Sequence, residues 1–309
     1  MLKTITVFLI ADRGALLCLN STNLQATITE TAGDPDATQW SRAGFSRPDY
    51  FGELPVFVGA DDTRVLNVQL RERVLPGKVI RTKLLERAAE IAERQGYKCG
   101  RKQMAELKDE VVAALLPTSH IKPVDITTMI VGNYLIIGTG SARLVDLVIG
   151  TLREAYPEHS LNFTPIYKDR QVTKWMTDLL LNGSTDSGEI TCGTAVSMRG
   201  REKETAKFKD VDLQRDEIQA QVVRGMLPVE IAANRCDDGG NERVSFAVTD
   251  HLVIKRIRFT DFLMEQAHEE AQESDEVSHF DTNVALFAGE MRGLLDYLMS
   301  EMSVEEDEL

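Results

Sequence analysis

Histidine is scarce in this chain, with five among 309 residues. His120, His159, His251, His268 and His279 never stand at the i, i+4 spacing that sets two zinc ligands on one helix face. His268 is followed by Glu269 and Glu270 but by no second histidine, so the H-E-x-x-H pattern is missing. Cysteine is equally sparse. Cys18, Cys99, Cys192 and Cys236 lie far apart and form no C-x-x-C pair, so their spacing gives neither a zinc cage nor a disulfide framework, and reduced thiols are expected. No G-x-x-x-x-G-K-[ST] phosphate loop is present, which argues against ATP-driven strand exchange or helicase work. Aromatic residues make up 6% of the chain, and there is no aromatic-rich RNA-binding strand, zinc-finger spacing or basic zipper with which bases could be read. No run approaches the roughly 20 apolar residues of a membrane helix. The opening Leu2–Ala11 run is cut by Asp12 and Arg13 before any cleavage-like site, so a cytoplasmic protein with no membrane partner is expected. No catalytic residue, metal or cofactor is expected either.

Hydrophobic residues, at 43%, are enough for a sizeable core divided over two or three subdomains. The net charge of −14 opposes nucleic-acid binding at first sight, because affinity for DNA comes largely from Lys and Arg displacing counterions from phosphates. Its distribution reverses that reading. From Asp261 to Leu309 fifteen acids face the single base Arg292, which accounts for the whole excess and leaves 34 residues of each sign over positions 1–260.

The alternation of Thr4–Ile10 and of Arg64–Leu70 predicts strands, with turns and irregular structure in the Gly/Pro/Asp-rich stretch Gly33–Gly59. Residues 78–116 are the most helical, opening after Pro76-Gly77 and stopping at Pro117, with Met104, Leu107, Val111 and Leu115 as a buried stripe. Gly96 and Gly100 interrupt them, so a helical hairpin or bent arm is expected. Thr127–Val131 and Tyr134–Ile137 flank the Gly132-Asn133 turn signal of a hairpin. Ser141–Tyr156 reads as helix, and Val172–Leu181 as strand or short helix. Gly183–Gly200 reads as loop and strand, and Asp212–Gly225 as a short helix stopped by Gly225. Val229–Asn234, Val244–Val248 and Leu252–Phe259 form an antiparallel meander, and Asp281–Met302 a final helix before the acidic tail Glu305–Leu309. The fold class is therefore α+β, with antiparallel sheets and a protruding helical arm. The domains are drawn at 1–75 plus 120–165 (central, β-rich), 76–119 (the arm) and 166–309 (a second α+β domain with the acidic tail).

Two motifs have a plainer structural reading. Gly138-Thr139-Gly140 follows a strand and precedes a helix, as a dinucleotide loop does, but it lacks the third glycine and follows a hairpin rather than a parallel βαβ unit. Asp237-Asp238 could hold a metal or form the acidic lip of a hairpin turn. The acids of Glu269–Glu276 read as a solvated helix face.

Three basic constellations stand out. Arg87, Arg94, Lys98 and Arg101 recur at intervals of seven, four and three, which sets them along one helix face if the interruption is mild. Across 71–122 they join Arg71, Arg73, Lys78, Arg81, Lys83, Lys102, Lys108 and Lys122, twelve bases against seven acids. Arg199, Arg201, Lys203, Lys207 and Lys209 form a second group, and Lys255-Arg256-Ile257-Arg258 a third in which strand alternation places Arg256 and Arg258 together. Such residues contact phosphate, which gives affinity without sequence choice. The expected DNA-binding set is Arg81, Arg87, Arg94, Lys98, Arg101, Lys102, Arg199, Arg201, Lys207, Lys209, Arg256 and Arg258. Each patch taken alone also fits an ordinary solvated face.

Ordered segments along nearly the whole chain resemble one family. Leu75-Pro76-Gly77-Lys78-Val79-Ile80, Leu107-Lys108-Asp109-Glu110-Val111 and Leu115-Leu116-Pro117 are similar to the L-P-x-x-V-I, L-K-D-E-V and L-L-P segments of the RdgC family, at matching separations. Asp212-Leu213, Cys236-Asp237-Asp238-Gly239, Leu252–Phe259 and Gly289-Glu290-Met291 resemble its later segments, and Ala43-Gly44-Phe45-Ser46-Arg47-Pro48 its G-W-x-x-P turn. The resemblance implies a ring-shaped homodimer with DNA passing through a basic central hole. It also implies binding to double-stranded DNA with little sequence preference, single-stranded DNA as a second candidate ligand, restraint of RecA-type recombination, and association with the nucleoid. It places a dimer contact at His120 and Ile121. Where the family carries Arg-x-Phe after L-L-P, this chain has Thr118-Ser119-His120, which departs from the aromatic packing of the ring-closing contact. A different class of function remains open: the acidic 261–309 segment could mimic DNA and occupy the basic site of a recombinase or nuclease.

Overall fold

The computed structural model describes residues 2–10, 13–20, 22, 24, 27–28, 32–47, 56–59, 63–157, 161–166, 169–261, 263, 265 and 276–303. Asp12, Pro48, His159, His268, the acids within 269–275 and the tail 305–309, all singled out above, lie outside the described residues. In chain order the first elements are β1 (Thr4–Ile10), α1 (Arg13–Cys18), β2 (Ser41–Ser46), β3 (Phe57–Val58), β4 (Arg64–Val74), α2 (Gly77–Gln95) and α3 (Arg101–Leu115). Then come β5 (His120–Val131), β6 (Tyr134–Ile137), α4 (Ala142–Ala155), β7 (Phe163–Pro165), α5 (Asp169–Asn182), β8 (Ile190–Arg199) and β9 (Thr205–Phe208). The last are α6 (Asp216–Val223), β10 (Leu227–Cys236), β11 (Glu242–Thr249), β12 (Ile254–Phe259) and α7 (Glu276–Ser303).

The chain divides into two units, residues 1–29, 47–66 and 127–309 in one and residues 30–46 and 67–126 in the other. This grouping differs from the three-part division drawn from the sequence. Residues 127–165 share a unit with 166–309, and 30–46 join the helical stretch.

The larger unit is built on an antiparallel sheet in the order β6-β1-β12-β11-β10-β8-β9, with β7 also on β1, so the fold is α+β. Alternation decides which face each strand buries. Ile5 and Val7 of β1, Val196 of β8, Ile231 of β10, Val248 of β11 and Ile254 of β12 belong to one apolar cluster. Phe287, Met291, Leu294, Leu295 and Leu298 of α7 complete it, together with Val172, Trp175, Met176, Leu179 and Leu180 of α5. The α5 segment, open between strand and helix in the sequence, is helix because those five residues recur at three- and four-residue spacing and bury a single stripe. In β6 all four residues are buried, the mark of a strand covered on both faces.

Turn chemistry fixes the registers. Val131 pairs with Tyr134 across the two-residue turn, with Gly132 at φ 56°, a conformation that favours glycine. At Gly138 a side chain would meet the Thr127 carbonyl oxygen at 2.6 Å, so the glycine of the β6–α4 turn serves close packing of backbone against β5. Asp237 closes the β10–β11 turn by accepting from the main-chain N–H groups of Gly239 and Asn241, each at 2.9 Å. The plainer readings of both motifs thus describe their geometry.

In the smaller unit β2 pairs antiparallel with β4, from Ser41 opposite Glu72 to Ser46 opposite Asn67. α2 and α3 form the expected hairpin. α2 ends at Gly96, whose φ of 80° lets its N–H bond Ala92 O, and α3 begins after Gly100. α3 buries Leu107 and Val111, while α2 buries no residue fully. Arg73, buried on β4, donates to the carbonyls of Leu116 and Pro117, both at 3.1 Å, and of Pro35 at 2.9 Å. A cation is thereby set against the carbonyls at the C-terminal end of the helical stretch, where it complements the helix dipole.

Candidate nucleic-acid interface

Burial and pairing decide which cations can meet a ligand. In the smaller unit Arg73 is buried as the cap just described and Arg71 bonds Asp34 at 2.6 Å, so both are engaged within the protein although both counted toward its basic balance. Along α2, Lys83 pairs with Glu86 at 2.8 Å and Arg87 with Glu90 at 2.9 Å, both exposed i, i+3 pairs of small energetic weight. Lys102 lies 3.9 Å from Glu106. Arg81, Arg94, Lys98 and Arg101 are exposed and make no ion pair among the described residues.

The single face expected for Arg87, Arg94, Lys98 and Arg101 does not form. The left-handed turn at Gly96 ends α2, so only Arg87 and Arg94 share a face, seven residues and two helical turns apart. Lys98 lies in the connection and Arg101 opens α3. Arg94, Lys98 and Arg101 gather at the Gly96–Gly100 end of the hairpin, and Arg87 lies more than two turns back along α2. Lys83 and Arg87 also border a groove of about 130 Å³ with Leu107, Val111 and Leu115 on its floor.

In the larger unit the register brings two sequence patches onto one sheet face. Opposite residues of antiparallel strands point the same way, and Ser197 faces Lys207 while Arg199 faces Thr205, so Arg199 and Lys207 share a face. Ser197 is opposite Glu230, Glu230 opposite Thr249, and Ala247 opposite Lys255. The apolar cluster occupies the other side through Val196, Ile231, Val248 and Ile254. Arg201 lies in the β8–β9 turn and Lys209 just beyond β9, both exposed.

Arg256 and Arg258 reach this face by a route other than plain alternation. Two residues of β12, Arg256 and Ile257, answer the single Phe246 of β11 between the pairs Ala247–Lys255 and Ser245–Arg258, a bulge with Arg256 at φ 54°. Arg256 bonds Glu230 at 2.6 Å and Lys255 bonds the same carboxylate at 3.1 Å. Glu230 is thus an acid set among the bases. No sequence signal marked it, because its partners stand 25 and 26 residues away. Arg199, Arg201, Lys207, Lys209 and Arg258 make no ion pair among the described residues.

His120 is exposed and Ile121 partly buried at the start of β5. The preceding Ser119 hydroxyl donates to Leu116 O at 2.7 Å, so the segment that departs from the Arg-x-Phe pattern is a hydrogen-bonded turn. Several ionisable groups away from these faces are shifted by their surroundings. Burial, helped by Asp212, pushes the Cys192 thiol up to about 12. Burial and its bond to Asp296 raise the Tyr134 hydroxyl well above the usual phenol range. Among the described residues no three His, Cys, Asp or Glu side chains gather as metal ligands, and no helix is long and apolar enough to cross a membrane.

Comparison with known proteins covers almost the whole sequence. A family model described as "Putative exonuclease, RdgC" matches residues 1–305. The chain is 28% identical over 297 residues to the recombination-associated protein RdgC of Cupriavidus necator, covering 93% of this chain and 94% of that protein. It is 30% identical to the protein of the same name from Cupriavidus pinatubonensis, over 91% and 92% of the two chains. With that of Pseudomonas aeruginosa it shares 27% identity over 94% of each. The family description names an exonuclease and the relatives' name a link to recombination, and neither states how DNA is held. The L-P-x-x-V-I, L-K-D-E-V and L-L-P segments that open α2 and run through α3, and a match from the first residue to position 305, place this chain in the RdgC family.

Proposed function

We propose that this protein binds double-stranded DNA through phosphate contacts without sequence preference, and that it does so as a homodimer closed around the duplex. The observation that carries this reading is the exposed cations that have no acid partner among the described residues. Arg81, Arg94, Lys98 and Arg101 lie on the helical hairpin, and Arg199, Arg201, Lys207, Lys209 and Arg258 at the outer sheet face. Surfaces of this kind offer charge and no base-reading element, so counterion release dominates affinity. The names of the relatives connect them with recombination. A duplex occupied in this way is withheld from a RecA-type recombinase, which makes restraint of strand exchange, in the cytoplasm and on the nucleoid, the expected cellular role.

The acidic-mimic reading is the weaker one. Glu290, one of the acids it relies on, is buried and bound by Arg235 and Arg243, and Asp296 accepts from Tyr134 at 2.8 Å. The test compares linear with covalently closed circular duplex of equal length, with protein mass measured in parallel. A closed dimer loads more slowly on the circle and resists salt once loaded. Equal loading and equal release on both would overturn encirclement, and release of acid-soluble nucleotides from the linear form would favour the exonuclease reading.

A further inference from the structure

At the Gly96–Gly100 end of the helical hairpin, Tyr97 is 67% exposed, the most exposed aromatic side chain among the described residues. Its neighbours are cationic. Arg94, Lys98, Arg101 and Lys102 lie within five residues of it, against Glu93 as the one acid of that stretch.

The connection carrying Tyr97 is pinned from inside. Gly96 takes the left-handed conformation that stops α2. The Gln95 side-chain amide donates to Tyr97 O at 2.9 Å and exchanges hydrogen bonds with the Gln103 amide across the hairpin, at 3.1 and 3.5 Å. Cys99 turns inward, its thiol 3.7 Å from Ala88 O. Gln95, Cys99 and Gln103 are so engaged with the hairpin itself, and the tyrosine is turned out. An apolar ring held in water on a fixed backbone, with cations close to it in sequence on both sides, fits a ligand with a flat face and a phosphate beside it.

We propose that Tyr97 is a stacking platform for an unpaired nucleobase, with Lys98 and Arg101 holding the adjoining phosphates, so that the hairpin end distinguishes single-stranded or gapped DNA from continuous duplex. The inference rests on the phosphate-binding reading above and adds to it a preference that phosphate contacts cannot supply. Within a duplex the base faces are stacked on one another and give the ring nothing to cover, whereas an unpaired base exposes a whole face, whatever its identity.

The test uses full-length protein with a single strand containing 2-aminopurine and with a fully paired duplex of the same length. Tyr97→Ala should weaken binding of the single strand by about tenfold, the scale of one base–aromatic stack, and leave the duplex within about twofold. Tyr97→Phe should behave as the parent, because the ring face is kept. Quenching of 2-aminopurine fluorescence on binding should disappear in Tyr97→Ala and persist in Tyr97→Phe. Equal weakening on both DNAs, unchanged binding to both, or a change in dimer mass in place of a change in binding would each overturn the stacking role. If the parent bound neither DNA, the phosphate-binding reading itself would fall, a result distinct from the other three.

Discussion

Arg235 of β10 grips Glu290 of α7 twice, donating to its carboxylate at 3.2 Å and to its main-chain carbonyl at 3.0 Å. The same guanidinium reaches Glu189 at 3.1 Å, and Arg243 of β11 donates to the second oxygen of Glu290 from its Nε at 3.0 Å. The side chain of Glu290 is 8% exposed and that of Arg235 18%. The pair sits on the sheet face that carries the apolar cluster, since Arg235 faces Val244. A fixed placement of α7 over the sheet follows from it. Glu290→Ala leaves two cations partly buried without their carboxylate and should cost about 3 kcal/mol, the scale for removing one partner of a buried pair. Urea denaturation gives the value, and a loss below about 1 kcal/mol, the range of an exposed pair, would show that solvent replaces Glu290 without penalty.

Gly293, one turn further along α7, makes room for that guanidinium. A side chain there would lie 2.5 Å from Arg235 Nη2. Arg235 cannot swing aside without leaving both glutamates, so Gly293→Ala should destabilise the parent. In an Arg235→Ala background the same change should stabilise by up to about 1 kcal/mol, the helix-propensity gain of alanine over glycine. A sign that stays the same in both backgrounds would separate Gly293 from Arg235.

Hydrogen bonds from the Asn241 backbone and side chain, and from the Gly239 N–H, hold the Asp237 carboxyl below its ordinary value of 3.8. A depressed carboxyl stabilises the fold above its unfolded value and loses that contribution as pH falls through the folded one. Asp237→Ala should therefore be less stable than the parent at pH 7, with the difference shrinking below about pH 4. Denaturation midpoints of both proteins across that range decide it, and a constant difference would assign the loss to turn packing instead of charge.

The Cys192 thiol, raised to about 12 mainly by burial, stays protonated at pH 8. Since the thiolate is the nucleophile, iodoacetamide at that pH should label Cys192 only after unfolding. Labelling of Cys192 in the native protein, read by peptide mass, would mean that its strand opens to solvent.

Much of the architecture was legible because it is local. Gly132-Asn133, Pro76-Gly77 and Gly96 each impose a backbone state that fixes a turn or a helix end, and Thr4–Ile10 shows the strand period within seven residues. The pairing of β1 with β12, Thr4 opposite Lys255, has no local signature. Nor do the salt bridges of Glu290, 55 and 47 residues from its partners. The charge patches were visible as counts but not as surfaces. Arg73 is a helix cap and Arg71 an ion pair, and a left-handed residue inside β12, Arg256, carries its side chain to Glu230. Composition registers how many bases there are, whereas register, bulges and caps decide which of them face water.

For the hairpin cations, joint reversal of Arg94, Lys98, Arg101 and Lys102 to glutamate should weaken duplex binding equally for unrelated sequences. The plot of log affinity against log salt should flatten by about 0.9 for each phosphate that is no longer neutralised. Reversal of Arg199 and Lys207 should act in the same sense through the sheet face. A variant whose affinity falls on one duplex only would indicate base contacts instead.

Duplex binding governed by phosphate charge underlies every role proposed for this protein. Its most direct test is fluorescence anisotropy of the unaltered protein with two equal-length duplexes of unrelated sequence, titrated from low to physiological salt. The expected result is one common affinity for both and a steep linear fall, on the order of 10³-fold or more between 50 and 200 mM salt if six or more phosphates are engaged. Affinity that holds constant over that range, or a strong preference for one duplex, would contradict it.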